Sequence, residues 1–304
     1  MATPASTPPA ALSKGAVFLR RLFSFLILWG VVLGALFSGN KPLSDYVFIL
    51  ILLFLAATGL MEFYGMVGRL GHACYSKLGI FGGLLLLGAT FCYISGEFGQ
   101  AAAPSRVNDF ETSLFVLFVL GLCIRQFVSR HTTAGIVAIS TTLFGLMYVP
   151  WLLNFVQKIN FFGRGVEGHY YVVYFIVVTK LSDCGAYVVG SLIGKHKMIP
   201  RISPGKTWEG FCGAVAVSTG ASVLFAHYFG AHLLGMKPVH AVVLGIILSL
   251  AAVVGDLIES LFKREAGLKD SGHFFPGIGG ILDLLDSLLF NAPLMYLYLR
   301  HILT

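Results

Sequence analysis

"GDLIESLFKREAGLKDSGHFFPGIGGILDLLDSLLF", residues 255–290, joins the end of one apolar run to the start of another through a charged, glycine-rich bend. Both runs carry acids, Asp256 and Glu259 before the bend and Asp283 and Asp286 after it. Followed outward, each run is long enough to cross a bilayer, which takes about 20 residues of helix. A carboxylate within such a helix costs roughly 2.5–3.5 kcal/mol on insertion scales. The stretch therefore indicates a membrane fold and, with it, something that offsets the acids.

Composition supports the fold. The chain has 304 residues, 57% hydrophobic and only 12% charged, against roughly 25% charged in soluble domains. Nine apolar runs recur, near 16–37, 44–66, 78–95, 111–128, 134–155, 169–192, 210–234, 239–261 and 280–302. The expected fold class is all-α, a polytopic integral membrane protein of about nine transmembrane helices with its N-terminus cytoplasmic. The short alternating strands of a membrane barrel are missing, and the loops are too short to bury a core of their own.

Residues 1–13, rich in Pro, Ala, Ser and Thr, read as a disordered tail. Lys14, Arg20 and Arg21 then open an uncleaved first helix, since no small-residue cleavage site follows. Residues 14–168 are expected to form N-terminal membrane helices, and 169–304 a C-terminal membrane region with polar loops 193–209 and 262–279.

With the N-terminus inside, fourteen Lys and Arg fall in inside segments and six in outside ones, with Lys180 inside a span. That excess follows the positive-inside rule and puts both polar loops in the cytoplasm. The net charge of +7 is thus explained by topology and by anionic headgroups or phosphates, not by nucleic acid. The five cysteines (74, 92, 123, 184, 212) form no CxxC pair, so neither zinc nor a disulfide framework is indicated. No strong internal repeat supports a transporter of inverted halves.

Three clusters carry chemistry. Lys180 and Asp183 lie three apart on one helical face and can pair, either as a structural ion pair or as part of a site. In "RISPGKTWEG", residues 201–210, Pro204 and Gly205 suggest a turn and Thr207 an N-cap with Glu209 in the first turn. That helix start reads as an ordinary capped end or as a phosphate site beside Lys206. It is not a P-loop, because Pro200 stands where the first glycine belongs.

The third cluster is the opening stretch. Asp256, Glu259, Ser260 and Lys263 share a helical face by spacing, and Asp283 and Asp286 share another. The glycines of "PGIGG", residues 276–280, let backbone approach a ligand closely. A helix dipole gives each acid only about 0.3–1 kcal/mol, less than the insertion cost. Carboxylates from two helices holding Mg2+ close the gap and leave room for phosphate oxygens. His196 and His273 sit in the polar loops within reach of phosphate; the other seven histidines read as interfacial or packed. Trp208 lies at a predicted membrane interface.

At these residues the chain resembles the phosphatidate cytidylyltransferase (CDP-diacylglycerol synthase) family. Ser260, Lys263, Arg264, Lys269, Asp270, Pro276, Gly277, Gly279, Gly280, Asp283 and Asp286 follow its signature in order and spacing. Asp183, Gly185, Ala186 and Tyr187, and then Ser203, Pro204 and Lys206 through Gly210, match two upstream blocks. The pattern departs at Ile278, Leu284 and Gly205, where histidine, arginine and lysine are usual.

The resemblance implies cytidylyl transfer from CTP to phosphatidate, giving CDP-diacylglycerol and pyrophosphate in phospholipid synthesis at the inner (plasma) membrane. It implies catalytic roles for Asp256, Lys263, Asp283 and Asp286, with Mg2+ on Asp256, Asp283 and Asp286 and a second, monovalent or divalent, cation. Substrate and phosphate contacts are expected from Lys180, Asp183, Ser203, Lys206, Thr207, Ser260, Arg264, Lys269, Asp270, Gly279 and Gly280. A homodimer is expected from the same resemblance. An ion path is disfavoured because the first 170 residues hold few ionic groups in their spans. A CDP-alcohol phosphotransferase is disfavoured because its Asp-Gly-x-x-Ala-Arg run is missing.

Overall fold

The computed structural model describes residues 30, 33, 34, 36, 37, 39–97, 99, 104–129, 134–162, 168–233, 235–272 and 279–303. Within them eight helical segments are long and apolar enough to cross a membrane. They are α1 (Lys41–Arg69), α2 (Ser76–Ser95), α3 (Pro104–Val128), the joined pair α4 (Gly135–Leu146) and α5 (Leu152–Asn160), α6 (Gly168–Ile193), α7 (Trp208–Phe229), α8 (Pro238–Glu265) and α9 (Ile281–Tyr298). These match the second to ninth apolar runs, so the protein is an all-α polytopic membrane protein. The first run, 16–37, lies largely outside the described residues, as do the 1–13 tail, His273, Pro276, Gly277 and Ile278.

Local chemistry explains the irregular places. Pro150 lacks an N–H and would break an α-helix. It sits in a π-helical turn, Met147–Trp151, which keeps α4 and α5 in one span. α1 is capped by Asn40, whose Oδ1 accepts the Leu43 N–H at 3.4 Å.

The 193–209 loop holds a small antiparallel hairpin, β1 (Lys197–Ile199) and β2 (Ser203–Thr207), with Lys197 opposite Thr207 and Ile199 opposite Ser203. The chain reverses at Pro200–Ile202, so the turn expected at Pro204–Gly205 is instead part of β2. A two-stranded ribbon tolerates proline, because each strand has one free edge that needs no donor.

α6, α7, α8 and α9 pack in chain order as neighbours, with α5 and α1 against α9. Tyr171, Tyr174 and Phe175 of α6 are fully enclosed, with Leu244 and Leu248 of α8 and Leu282 of α9. Outer faces are apolar and exposed, as at Phe127 and Ile136, where lipid tails take the place of a core. Buried hydroxyls and amides bridge the helices: Ser218 Oγ donates to the Val178 carbonyl at 3.1 Å, and Asn291 Nδ2 to Thr179 Oγ1 at 2.8 Å. Small residues set the closest approaches. A Cβ at Gly185 would lie 2.8 Å from the Gly213 carbonyl oxygen, and one at Gly255 would lie 2.6 Å from that of Asp286. The second approach brings the acidic face of α8 against that of α9.

Candidate active site

The last turns of α8 carry Asp256, Glu259, Ser260 and Lys263 on one face, as their spacing predicts. Ser260 Oγ donates to Asp256 Oδ1 at 3.3 Å, and Lys263 Nζ lies 2.5 Å from Glu259 Oε2. Across the Gly255 contact stands Asp286 of α9. Asp256, Glu259 and Asp286 each bring a carboxylate oxygen within 4.8 Å of the other two. Glu259 is fully buried, Asp286 is buried and Asp256 is partly open. Apart from the Lys263 ion pair, neither Glu259 oxygen has a hydrogen-bond partner.

Three lysines surround this group. Lys206 of β2 reaches over from the hairpin, 2.7 Å from Asp256 Oδ2, and donates to the Val253 carbonyl at 3.2 Å. Lys263 also pairs with Asp283 Oδ1 at 2.5 Å. Lys180 of α6 donates to the Leu284 carbonyl at 2.9 Å and to Ser287 Oγ at 3.1 Å, and lies 3.5 Å from Asp183 Oδ2. Ser287 Oγ in turn donates to Asp183 Oδ2 at 3.1 Å. Carboxylates (183, 256, 259, 283, 286) thus outnumber the lysines (180, 206, 263) that face them. The donors near the three-carboxylate group are all hard oxygens, which suit Mg2+. Glu259 Oε1, buried and without a partner, leaves acceptor capacity for such an ion.

Asp283 lies outside that group. Its Oδ2 accepts the Gly280 N–H at 2.8 Å and both the N–H and Oγ of Ser271 at 2.9 Å, while Oδ1 holds Lys263. The metal set expected from the sequence was Asp256, Asp283 and Asp286; the convergent set is Asp256, Glu259 and Asp286. Gly279 and Gly280 lie against protein carboxylates as well. Gly279 takes a left-handed φ of +114°, and a side chain there would meet Asp283 Oδ2 at 2.6 Å. A Cβ at Gly280 would collide with Ser271 and with Glu62. These glycines make room for protein carboxylates.

Glu62, on α1, is the residue that spacing alone did not reveal. Its carboxylate accepts the N–H of Ile281 at 2.9 Å, that of Leu282 at 2.8 Å, and the Ser271 hydroxyl at 2.9 Å. The one signal in the sequence is its type: a carboxylate within an apolar span is a functional candidate by default.

The remaining predicted residues divide. Thr207 is buried, and its Oγ1 accepts the Gly210 N–H at 3.1 Å, so the hydroxyl works as the N-cap of α7. Glu209 accepts the N–H groups of Lys195 and His196, and its Oε1 lies 2.6 Å from His196 Nδ1. Arg264 ties the two polar loops together, donating to the Ile202 carbonyl at 3.3 Å and the Leu268 carbonyl at 3.2 Å. Ser203 is half-buried in β2. Lys269 and Asp270 are exposed after α8, without an ion pair or hydrogen bond to another described residue.

At one end of the bundle, then, stand acids suited to a hard cation and lysines suited to phosphate. Comparison with known proteins agrees with that chemistry. A profile of the cytidylyltransferase family matches residues 19–302. The chain is 32% identical over 223 residues to a phosphatidate cytidylyltransferase of Mycobacterium bovis, an alignment covering 71% of this chain and 70% of that one. It is 38% identical over 174 residues to one from Mycobacterium leprae (55% of this chain, 54% of the relative). It is 42% identical over 139 residues to one from Staphylococcus haemolyticus (46% of this chain, 52% of the relative). The chain thus aligns with between about half and seven-tenths of the length of these relatives. The family match runs through nearly all of the membrane helices and includes every residue of the site, and the chain belongs to the cytidylyltransferase family.

Proposed function

We propose that this membrane protein transfers a cytidylyl group from CTP to phosphatidate, giving CDP-diacylglycerol and pyrophosphate. The observation that carries the reading is the convergence of Asp256, Glu259 and Asp286 beside lysines from three separate elements. Both substrates are anions, so neutralising charge dominates the problem. The names of the relatives support the substrates, and a site at the polar end of a membrane bundle suits a substrate with its head in water and its tails in lipid.

In the reaction a phosphatidate oxygen attacks the α-phosphorus of CTP. The new P–O bond forms as the bond to the β-phosphate breaks, and pyrophosphate leaves with the electron pair. The attacking phosphate is already anionic near neutrality, so no general base is obligatory. Lys206 of β2, Arg264 in the last turn of α8 and Lys269 just after it meet the phosphates. Lys180 and Ser287 hold Asp183 beside the group. Asp256, Glu259 and Asp286 would hold Mg2+, which when bound supplies charge neutralisation for the triphosphate and the leaving pyrophosphate. The excess of basic residues in the loops on this side supports a cytoplasmic site, where CTP is available. The bacterial relatives support the plasma membrane, and the family resemblance a homodimer.

The test is direct. Protein in lipid nanodiscs is given phosphatidate, CTP labelled at the α-phosphate, and Mg2+. Labelled CDP-diacylglycerol is expected, lost with EDTA and restored by Mg2+, and reduced at least about 100-fold in Asp286→Asn. No labelled lipid from the wild-type protein with Mg2+ or Mn2+ overturns the reading.

A further inference from the structure

We propose that Glu62 is a positioning residue of the site: a carboxylate from the N-terminal half of the chain that clamps the first turn of α9 and so fixes where Asp283 and Asp286 stand. The role rests on the functional reading above, but the clamp itself does not.

The first N–H groups of a helix have no partner within it and must find one elsewhere. In α9 the account closes. The Gly280 N–H goes to Asp283 Oδ2, those of Ile281 and Leu282 go to the two oxygens of Glu62, and that of Asp283 goes to Ser271 Oγ at 3.3 Å. A helix usually takes its cap from the residue just before it. Here Gly279 and Gly280 precede α9 and carry no side chain to do so. The cap is supplied across 219 residues of sequence, from another membrane helix.

Three details show that the contact is built. Gly272 and Gly280 leave the space Glu62 occupies, and a Cβ at either would collide with its carboxylate. Ser271 Oγ lies 2.9 Å from both Glu62 Oε2 and Asp283 Oδ2, so a single hydroxyl proton serves two carboxylates and couples them. Asp283 in turn holds Lys263, and Lys263 holds Glu259, a member of the three-carboxylate group. A continuous chain of polar contacts thus runs from α1 to the acids, while Glu62 itself stands outside the group.

The consequence is specific. Glutamine at 62 keeps the shape but presents an amide NH2 where one backbone N–H needs an acceptor. The first turn of α9 loosens, and the acids that follow it lose their placement relative to α8.

The experiment compares wild type, Glu62→Gln, Glu62→Asp and, as a control, Glu111→Gln, which breaks a buried ion pair between α3 and α5. Three quantities are read in nanodiscs: amide hydrogen exchange at Ile281 and Leu282, Mn2+ affinity by electron paramagnetic resonance without substrates, and kcat and KM for CTP. Supporting residues of metal sites typically change affinity or activity by about 10–100-fold. For Glu62→Gln we expect exchange faster by at least about tenfold, and Mn2+ affinity and kcat each lower by at least about tenfold, with KM for CTP within about threefold. Glu62→Asp, which keeps the charge, recovers part of the loss and covers the case in which Glu62→Gln does not fold. Glu111→Gln lowers thermal stability and leaves Mn2+ affinity alone.

Unchanged exchange in Glu62→Gln overturns the clamp, whatever the activity. Faster exchange with unchanged Mn2+ affinity and kcat overturns the positioning role. A wild-type protein that makes no CDP-diacylglycerol overturns the functional reading and the positioning role with it, while exchange still decides the clamp.

Discussion

Adding one methyl group at Gly255 tests whether the approach of α8 to α9 assembles the site. A Cβ there would lie 2.6 Å from the Asp286 carbonyl oxygen and 3.1 Å from Phe290 Cδ2, whereas ordinary contact begins near 3.4 Å. The phenylalanine ring can turn aside, but the backbone oxygen cannot. Alanine therefore forces the helices apart locally by about 0.8 Å, the difference between 2.6 and 3.4 Å. Overpacking of this kind costs about 1–3 kcal/mol. Replacing glycine by alanine inside a helix returns about 1 kcal/mol, so the net loss of stability is about 0–2 kcal/mol. The reaction is more sensitive, because a misplacement near 1 Å can cost about 100-fold in rate. Gly255→Ala is expected to fold and to form CDP-diacylglycerol about 10–100-fold more slowly. Product would be measured from labelled CTP in nanodiscs, beside a thermal unfolding curve. Gly220→Ala is the control: it also adds a methyl group within a membrane helix, α7, but nothing lies within 4 Å of the added atom, and wild-type turnover is expected. Wild-type turnover in Gly255→Ala would refute the claim that this contact positions Asp256 against Asp286.

The two α9 acids are expected to differ. Asp286→Asn should lower Mn2+ affinity at least about tenfold more than Asp283→Asn, because only Asp286 belongs to the convergent group; equal losses in resonance titrations would restore Asp283 to the metal set. Thr207→Ala removes the α7 cap and should cost about 1 kcal/mol in thermal unfolding, with serine restoring most of it. KM for CTP should change less than about threefold in that variant, because the hydroxyl is occupied by Gly210; a larger rise would mean that Thr207 contacts substrate. Glu111→Gln leaves Lys158 buried without its partner, now at 2.6 Å, and should cost about 3–5 kcal/mol. The double variant Glu111→Leu with Lys158→Met should recover most of that in the same melting assay, and failure to recover would show that the pair does more than satisfy its own charges.

Much of this was legible because a membrane helix announces itself as an unbroken apolar run and because contacts within a helix follow spacing. Eight spans, the Lys180–Asp183 pair, the Asp256–Glu259–Ser260–Lys263 face and the Thr207 cap are all of that kind. What spacing does not encode is which face meets which. Asp283 and Asp286 look alike as a pair of acids three residues apart, yet one serves the helix cap and Lys263 while the other meets α8. The choice is made by the Gly255 approach, which is a tertiary contact. Glu259 reads as one residue of a polar face, and only the fold makes it the buried ligand candidate. Glu111 and Lys158 belong to the same class: they lie 47 residues apart in sequence, and only the fold pairs them. The 197–207 hairpin is too short to show a strand pattern above the turn signals of Pro200, Pro204 and Gly205.

The glycines before α9 bear on where a substrate phosphate can bind. A glycine-rich turn leading into a helix usually marks an anion site, since bare N–H groups and the helix dipole converge there. In this protein that site is already filled. Glu62 and Asp283 accept the N–H groups of Gly280, Ile281 and Leu282, and Ser271 accepts that of Asp283. A phosphate arriving there would meet two carboxylates and find the N–H groups of residues 280–283 already taken. The start of α7 is similarly occupied, by the Thr207 hydroxyl. The starts of α7 and α9 therefore have little left to offer an anion. On the proposed reading anion binding comes from side-chain cations and from an ion that Asp256, Glu259 and Asp286 would hold. Of the cations, Lys206 and Lys263 are already paired with acids, so their hold on phosphate depends on those acids being engaged by something else. Asp256 and Glu259 would hold a divalent ion, and with those acids engaged Lys206 would be without its carboxylate partner and Lys263 would keep only Asp283. Metal and nucleotide should accordingly bind cooperatively, and a titration of Mn2+ with and without CTP would show tighter binding in its presence.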